Sequence, residues 1–305
     1  MSFLKLIRLP NLGIVILTQY LLYYLIIRRV LGNADINPIL SDLHFGLLVF
    51  VTVLITASGY IFNDIIDFKA DHLNKPQRVM LGRKVPFQIA YWAAGFMLLI
   101  GFLLSFFLAM SVDRLPYLSI FPVAVIGLLF YNLKWKGTPL LGNFTIALYC
   151  AGVAGILWLA EEPALSQLSI QQTAEYSLAW TMFAWYMLFA FFSTLIREIV
   201  KDLEDENGDR STGLNTTPIA WGTPAAKMIA TGFSLLLFVV LIYYGWTFHN
   251  LFEKSMPAYL CFGILLPLSL SGFLLLRAKK QAAYHRVSQL WKGIMVLGLL
   301  MLLLF

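Results

Sequence analysis

Long apolar segments alternate with short polar ones along nearly the whole 305-residue chain. Most of these segments reach the about 20 residues that an α-helix needs to cross the hydrocarbon core of a bilayer. We expect nine spans, at residues 11–31, 43–62, 86–110, 116–131, 141–160, 174–196, 224–246, 256–276 and 288–305. The pattern predicts an all-α, polytopic membrane protein built as a bundle of nine transmembrane helices.

Composition supports this fold class and excludes an ordinary soluble protein. Hydrophobic residues make up 60% of the chain, the mean hydropathy is +0.78, and only 12% of the residues are charged. We expect a single integral membrane domain over residues 1–305. The net charge of +6 does not indicate a nucleic-acid partner, because the basic residues alternate with the spans, as they do beside anionic membrane lipid. No obligate protein partner is indicated.

The distribution of basic residues predicts the orientation. With the N-terminus in the cytoplasm, 18 of the 22 Lys and Arg residues are assigned to the cytoplasmic side, and the exceptions are Arg28, Arg29, Arg114 and Lys254. The longest polar loops, about 63–85 and 197–223, lie on that same side. We therefore expect a multi-pass protein, in the cell membrane if the host is prokaryotic, with its active-site face towards the cytoplasm.

Two acidic motifs follow the second and sixth spans. Each contains three aspartates with the spacing i, i+3, i+7, namely Asp64, Asp67 and Asp71, and Asp202, Asp205 and Asp209. On a helix each trio lies on one face, within about 60° of arc. Three such carboxylates repel one another unless a cation neutralises them, and oxygen ligands favour Mg²⁺. We expect two facing Mg²⁺-binding motifs, with Gly208 near a helix end and with Glu204 and Glu206 pointing into solvent.

Basic residues stand among these carboxylates. Lys75 and Arg78 follow the first trio, Arg197 and Lys201 precede the second, and Lys134 lies in the loop after the fourth span. Carboxylate-bound Mg²⁺ together with Lys and Arg fits a diphosphate, whose oxygens bridge the metal ions and the bases. A diphosphate at the mouth of an apolar bundle indicates a lipid-like tail. Ionisation of an allylic diphosphate leaves a carbocation that aromatic rings, 15% of the residues, can stabilise.

A cation transporter is the alternative from another functional class, since it could use the same carboxylates. Transporters place acidic residues near the bilayer midplane, within interrupted helices. Here the acidic residues stand at the ends of spans with bases among them, which favours an enzyme.

The motifs resemble those of the UbiA superfamily of intramembrane prenyltransferases. Asn63-Asp64-x-x-Asp67-x-x-x-Asp71 with Asn74-Lys75-Pro76-x-Arg78 is similar to the first family signature. Arg197-Glu198-Ile199-Val200-Lys201-Asp202-x-x-Asp205-x-x-x-Asp209 is similar to the second, and Tyr131-Asn132-Leu133-Lys134 resembles a lesser pattern. The resemblance implies a bundle with a central cavity, in which Mg²⁺ assists ionisation of an isoprenyl diphosphate donor and a lipophilic acceptor receives the prenyl group.

The resemblance also implies roles for individual residues. The metal ligands would be Asp64, Asp67, Asp71, Asp202, Asp205 and Asp209, and the residues expected to act in catalysis are Asp64, Asp67, Asp202 and Lys134. The diphosphate would be bound by Asn63, Lys75, Arg78, Tyr131, Arg197 and Lys201.

Within the superfamily, the second motif looks most like that of the digeranylgeranylglyceryl phosphate synthases. These enzymes add a geranylgeranyl group to a prenyl-glycerol phosphate and form an ether lipid. The segment after Arg78 is Val79-Met80-Leu81-Gly82, where relatives usually have Pro-x-x-Ser-Gly. An aromatic quinone precursor, such as dihydroxynaphthoate or hydroxybenzoate, therefore stays a second class of acceptor.

Overall fold

The computed structural model describes residues 2–74, 76–77, 79–247 and 255–304. These residues form helices joined by short turns. The chain divides into two compact units. The first contains Met1–Trp135 and Val153–Trp180, and the second contains Lys136–Gly152 and Thr181–Phe305.

Within the described ranges the α-helices, in chain order, are α1 Ser2–Leu6, α2 Leu9–Leu22, α3 Arg28–Asn33, α4 Asp42–Ile66, α5 Phe68–Asn74, α6 Phe87–Ser111, α7 Ile120–Phe130, α8 Leu141–Ala160, α9 Glu162–Gln171, α10 Thr173–Ser211, α11 Thr217–Trp221, α12 Thr223–Thr247, α13 Ser255–Tyr259, α14 Leu266–Arg277 and α15 Gln281–Leu300. Short π-helical segments occupy Tyr23–Ile27, Tyr131–Trp135 and Leu260–Leu265, and 3₁₀ segments occupy Leu115–Ser119 and Met301–Leu304.

In this part of the chain, nine helical stretches are long and apolar enough to cross a bilayer, which confirms the predicted all-α, nine-span fold. They are Leu9–Asn33, Asp42–Ile66, Phe87–Ser111, Leu115–Trp135, Leu141–Ala160, Thr173–Ser211, Thr223–Thr247, Ser255–Arg277 and Gln281–Leu304. The sixth and ninth depart most from the sequence-based boundaries. The sixth continues to Ser211, because its polar last turns extend an apolar helix, and the ninth begins at Gln281.

In the first unit, α4 packs along α6 through small side chains. Ala57 of α4 and Ala90 and Ala94 of α6 are buried, and their size lets the two helix backbones approach closely. The Ser58 hydroxyl donates to the Ala94 carbonyl across this contact at 3.2 Å. Leu6 and Ile7 pack into the same cluster, so the N-terminal segment is held against the end of α4 that carries the first acidic motif.

At the other end of this unit, a buried carboxylate holds the loop before α4. Glu161, between α8 and α9, has no exposed surface. Its oxygens accept hydrogen bonds from the backbone N–H groups of Ile39 at 2.7 Å and Leu40 at 2.9 Å, and from the Tyr23 hydroxyl at 2.9 Å. Burial raises the pKa of the Glu161 carboxyl, and these donors only partly offset that effect. Glu161 thus links three segments far apart in sequence.

The second unit is built around α15. Trp291 of α15 is fully buried, and it belongs to one apolar cluster with Leu203 of α10 and Leu237 of α12. In the same unit the loop before α8 is tied to the loop after α10. The Asn215 N–H donates to the Gly137 carbonyl at 3.0 Å, and the Leu140 N–H donates to the Thr217 hydroxyl at 3.0 Å. These bonds fix the start of α8 beside the second acidic motif.

Candidate active site

The first acidic trio lies at the junction of α4 and α5. Asp64 is in the last turn of α4, Asp67 caps its C-terminus, and Asp71 is in α5. The helix is interrupted only at Asp67. The Asp67 N–H still bonds to the Asn63 carbonyl and the Asp71 N–H to the Asp67 carbonyl, at 2.9 and 2.8 Å. The backbone therefore keeps nearly the helical register that the spacing predicts.

Asn63 and Asp67 are joined directly. The Asn63 amide donates to Asp67 Oδ2 at 2.8 Å, which fixes the orientation of that carboxylate. The spacing of the motif predicts both residues but not this bond. The structure thus brings together two members of the first motif. Lys75 and Arg78, expected here as diphosphate-binding residues, lie outside the described residues.

Arg8 belongs to this site, although no motif in the sequence predicts its contact with Asp64. Its Nη2 lies 2.6 Å from Asp64 Oδ1, and its guanidinium stacks 4.8 Å from the centre of the Tyr60 ring. The backbone of Arg8 is left-handed, with φ 54°, at the break between α1 and α2. The only signal in the sequence is a base two residues before Pro10, which marks a helix start but not a contact 56 residues away.

The expected pattern at Tyr131-Asn132-Leu133-Lys134 lies on the π-helical segment Tyr131–Trp135 rather than in a loop. Such segments shift the facing of side chains within a helix and are frequent at functional sites. Tyr131 and Asn132 are buried, whereas Lys134 is exposed, with its Nζ 6.0 Å from the centre of the Phe130 ring. The prediction that Lys134 lies in a loop is wrong, because the residue belongs to the last turn of the span Leu115–Trp135.

The second acidic trio lies entirely on α10. The sequence predicts that this trio lies in a loop, with a helix end near Gly208. The structure corrects this, since α10 continues to Ser211 and includes Asp209. Asp202 Oδ2 accepts a hydrogen bond from the Asn143 amide of α8 at 2.8 Å. The Thr217 hydroxyl in turn donates to Asn143 Oδ1 at 3.4 Å, so Asn143 is positioned for this contact.

The two bases of the second motif are held by its own glutamate. Glu198 Oε1 lies 3.0 Å from Arg197 Nη1 and Glu198 Oε2 lies 2.8 Å from Lys201 Nζ, within the solvent-poor interior of the unit. The Glu198 side chain is only 13% exposed. Lys201 and Glu198 also interact electrostatically with Asp202.

The two other glutamates of the second acidic motif, Glu204 and Glu206, are buried or partly buried, contrary to the prediction that they point into solvent. Glu204 is 5% exposed, and its Oε1 lies 3.1 Å from Nδ1 of His285 on α15. Glu206 is partly buried and contacts Arg210 at 2.9 Å and the Thr223 hydroxyl at 3.1 Å. Both glutamates have partners outside the aspartate trio. They join α10 to neighbouring helices of the unit.

The donor atoms of each motif suit Mg²⁺. All are carboxylate or amide oxygens, and a guanidinium already occupies the position of a cation beside Asp64. Among the residues that the structure describes, no group of three or more His, Cys, Asp and Glu side chains converges on one point as a complete metal site. Mg²⁺ usually takes part of its coordination from a ligand or water.

The fold and these motifs define a polytopic, all-helical membrane protein with two aspartate trios on separate helices. The sequence matches the UbiA prenyltransferase family over residues 32–293. The chain belongs to this family, as its motifs predict.

Curated relatives and solved structures agree with this assignment. The chain is 32% identical over 193 residues to digeranylgeranylglyceryl phosphate synthase of Methanopyrus kandleri, and the match covers 62% of each chain. It is 27% identical over 262 residues to the Methanobrevibacter smithii protein of the same name, covering 84% of this chain and 85% of that one.

A solved digeranylgeranylglyceryl phosphate synthase superposes with a TM-score of 0.63 at 24% identity, covering 99% of this chain and 96% of that one. A UbiA homologue from Archaeoglobus fulgidus, solved with DMAPP and Mg²⁺, gives 0.53 at 16% identity and covers 100% of both. These likenesses show the shared fold.

Proposed function

We propose that this protein is an integral membrane prenyltransferase. It transfers a geranylgeranyl-type group from an allylic diphosphate to the hydroxyl group of a prenyl-glycerol phosphate and forms an ether. The C1–O bond of the donor breaks and the diphosphate leaves with the electron pair. The acceptor oxygen bonds to C1, and its proton passes to the released diphosphate. Atoms and charge balance without an oxidant or a reductant.

One observation carries the proposal. In residues 197–209 of α10, Glu198 forms ion pairs with two bases, Arg197 and Lys201. Three aspartates follow, and Asn143 donates a hydrogen bond to the first of them, Asp202. A cation transporter needs the carboxylates but not the bases. An enzyme that separates a diphosphate needs both, because the developing negative charge is shared between metal ions and donor groups. The names of the curated relatives support a glycerol-phosphate acceptor.

Each proposed residue has a distinct role. The carboxylates of both trios would hold Mg²⁺, which when bound neutralises the charge of the leaving diphosphate. Lys201 and Lys134 would donate to diphosphate oxygens, and Tyr131 would support that binding. Asn63 and Asn143 are positioning residues, since each donates a hydrogen bond to one oxygen of a proposed metal-binding carboxylate.

We further propose that the two trios face the cytoplasm, as the distribution of bases predicts. A water-soluble thiol reagent applied to inside-out and right-side-out vesicles tests this. Single cysteines at Leu73 and at Leu115 serve as the two reporters, because both side chains are exposed and they belong to opposite predicted sides. Labelling of Leu73→Cys in right-side-out vesicles alone would show that the orientation is opposite to the proposed one.

Prenyl transfer by purified protein in liposomes tests the activity. Labelled geranylgeranyl diphosphate is supplied with and without Mg²⁺, and geranylgeranylglyceryl phosphate and dihydroxynaphthoate are offered in parallel. We expect Mg²⁺-dependent product with the glycerol phosphate. Product with the naphthoate alone would assign the enzyme to quinone precursors.

The matched control separates metal binding from folding. Asp67→Asn should abolish turnover and leave the unfolding temperature in detergent nearly unchanged, because Asn63 can still bond to the amide oxygen. Asp42→Asn makes the same chemical change in the first turn of α4, far along the helix from the motif, and should leave turnover intact. Near-normal turnover of Asp67→Asn would remove Asp67 from the metal site.

A further inference from the structure

A series of hydrogen bonds joins the second acidic motif to α11, which follows it in the sequence. Asp202 of α10 accepts from the Asn143 amide of α8 at 2.8 Å, and Asn143 Oδ1 accepts from the Thr217 hydroxyl of α11 at 3.4 Å. The Thr217 oxygen in turn accepts from the backbone N–H of Leu140 at 3.0 Å. Thr217 has no exposed surface and Asn143 is 6% exposed, so solvent has little access to these bonds. The series therefore ends on a backbone group that can only donate.

This backbone N–H fixes the direction of the whole series. The two ends of an Asn side-chain amide have nearly the same shape, so its hydrogen-bond partners decide which end faces which way. Because the Leu140 N–H donates to the Thr217 oxygen, the single hydroxyl proton of Thr217 can point to Asn143 Oδ1. The NH₂ end of the amide then faces the Asp202 carboxylate. In the reversed amide, two acceptors would be in contact. Thr217 thus favours the orientation of Asn143 that supports Asp202.

The backbone of the turn before α8 is constrained in the same place. Leu140, the last residue before α8, has a φ of 57°, in the left-handed region that leucine rarely adopts. Such a conformation persists where the surrounding contacts impose it, and it is common at functional sites. Here the contacts include the bond from Leu140 to Thr217 and the bond from the Asn215 N–H to the Gly137 carbonyl at 3.0 Å. Both connect this turn with the segment that carries Thr217.

The neighbouring Thr216 is a buried threonine without such a connection. Thr216 is 2% exposed, and among the described residues its hydroxyl has no hydrogen-bond partner. Its backbone carbonyl accepts from the N–H groups of Ile219 and Ala220, which a residue of any type can do at this position. Two buried threonines therefore stand side by side, and Thr217 is the one that is linked to the second acidic motif.

We propose that Thr217 is a positioning residue for Asp202 and acts through Asn143, an inference that rests on the metal-binding role proposed above for Asp202. The hydroxyl holds the Asn143 amide with its NH₂ group towards one carboxylate oxygen, and so restricts rotation of the carboxylate that would bind Mg²⁺. The 3.4 Å between the Thr217 and Asn143 oxygens is long for a hydrogen bond donated by an O–H group. Its loss should therefore have a smaller effect than the loss of Asn143 itself.

Thermal unfolding of the purified protein tests this role without turnover. Mg²⁺ is titrated at a fixed concentration of inorganic diphosphate, and the Mg²⁺ concentration that gives half of the increase in Tm is the Mg²⁺ midpoint. We expect Thr217→Val to raise this midpoint about three- to tenfold, as for the loss of one net hydrogen bond. Thr217→Ser keeps the hydroxyl group and should stay within about twofold of the wild type. Thr216→Val makes the same chemical change at the neighbouring residue and should leave the midpoint unchanged.

A double-mutant cycle tests whether Thr217 acts through Asn143. In the Asn143→Ala background, Thr217→Val should change the Mg²⁺ midpoint by less than about twofold, because the amide that Thr217 orients is absent. Equal effects of Thr217→Val in the wild type and in Asn143→Ala would mean that Thr217 acts by another route, and would overturn the inference.

The remaining outcomes separate this inference from the proposed function. An unchanged midpoint in Thr217→Val, even with a lower Tm in the absence of Mg²⁺, would make Thr217 a structural residue and overturn the inference alone. An equal rise in Thr216→Val would do the same. If Mg²⁺ with diphosphate does not raise the Tm of the wild type, the inference fails together with the metal assignment. If the wild type transfers the prenyl group to the naphthoate only, the proposed function is wrong, and the midpoints still decide the role of Thr217.

Discussion

Replacing Glu161 by alanine should destabilise the protein more than any change at its exposed neighbours. The carboxylate is fully buried and accepts hydrogen bonds from the N–H groups of Ile39 and Leu40 and from the Tyr23 hydroxyl. In the variant the hydroxyl can turn to the Leu40 carbonyl, 3.0 Å away, but the two backbone N–H groups lose the acceptor that the carboxylate supplies. Each buried donor without an acceptor costs about 1–3 kcal/mol, so the loss should be about 3 kcal/mol.

The assay is thermal unfolding in detergent, followed by the reaction of the partly buried Cys150 with a thiol-reactive dye in a variant whose exposed Cys261 is replaced. A loss of about 3 kcal/mol corresponds to a decrease in Tm of about 6–12 °C, at about 2–4 °C per kcal/mol for chains of 150–250 residues. Glu162→Ala is the control. It removes the same group one residue away, where the side chain is exposed and bonds only locally to Ser166. That change should cost no more than about 0.5 kcal/mol.

The comparison of the two variants decides the outcome. Equal Tm values for Glu161→Ala and Glu162→Ala would refute the reasoning, because they would mean that the buried donors find water or other acceptors at no cost. Tyr23→Phe divides the effect further. It removes one donor and leaves no donor unsatisfied, so it should cost only about 0.5–1.5 kcal/mol.

Three further predictions concern charged groups. Burial raises the pKa of Glu161 above its ordinary value of 4.5, so the folded state binds the carboxyl proton more tightly than the unfolded state does. The stability of the wild type relative to Glu161→Gln should therefore increase as pH falls from 7 towards 5. A relative stability that increases as pH rises would contradict the pKa shift. Arg8→Gln should lower the Mg²⁺ concentration for half-maximal activity about two- to fivefold, because the partly exposed Arg8 competes with a metal for Asp64. A higher Mg²⁺ requirement in this variant would instead indicate that Arg8 binds a ligand. Asn143→Ala should reduce activity about 10- to 100-fold, since Asn143 orients Asp202; an unchanged rate would show that this carboxylate needs no support.

The parts of the structure that depend on short-range pattern are predictable from the sequence. A membrane span is a property of about 20 consecutive residues, and the i, i+3, i+7 spacing of the aspartates is a property of one helix. The structure therefore contains both the predicted spans and the aspartates at helical spacing. The boundaries move only where a helix continues past its apolar part, as α10 does through Lys201 and Asp209 to Ser211.

Contacts between distant segments are not predictable in the same way. Arg8 and Asp64 are 56 residues apart, and Glu204 and His285 are 81 apart. In each case the local sequence fits a solvated charge equally well. Only the packing of α1 against α4, or of α10 against α15, decides that the charge is enclosed and needs a partner. Glu161 illustrates the limit, because two of its partners are backbone N–H groups that no side-chain pattern can reveal.

Lys292 differs from these residues, since the sequence does contain a signal for it. The rule that counts basic residues on each side of a membrane treats a lysine in mid-span like one in a loop, although the two have very different environments. A base next to the interface is solvated and reports orientation. A base half a span from the interface must be compensated within the protein. Depth along each helix should therefore be assigned before bases are counted, which separates Lys292, within the last candidate span, from Lys280, which precedes that span.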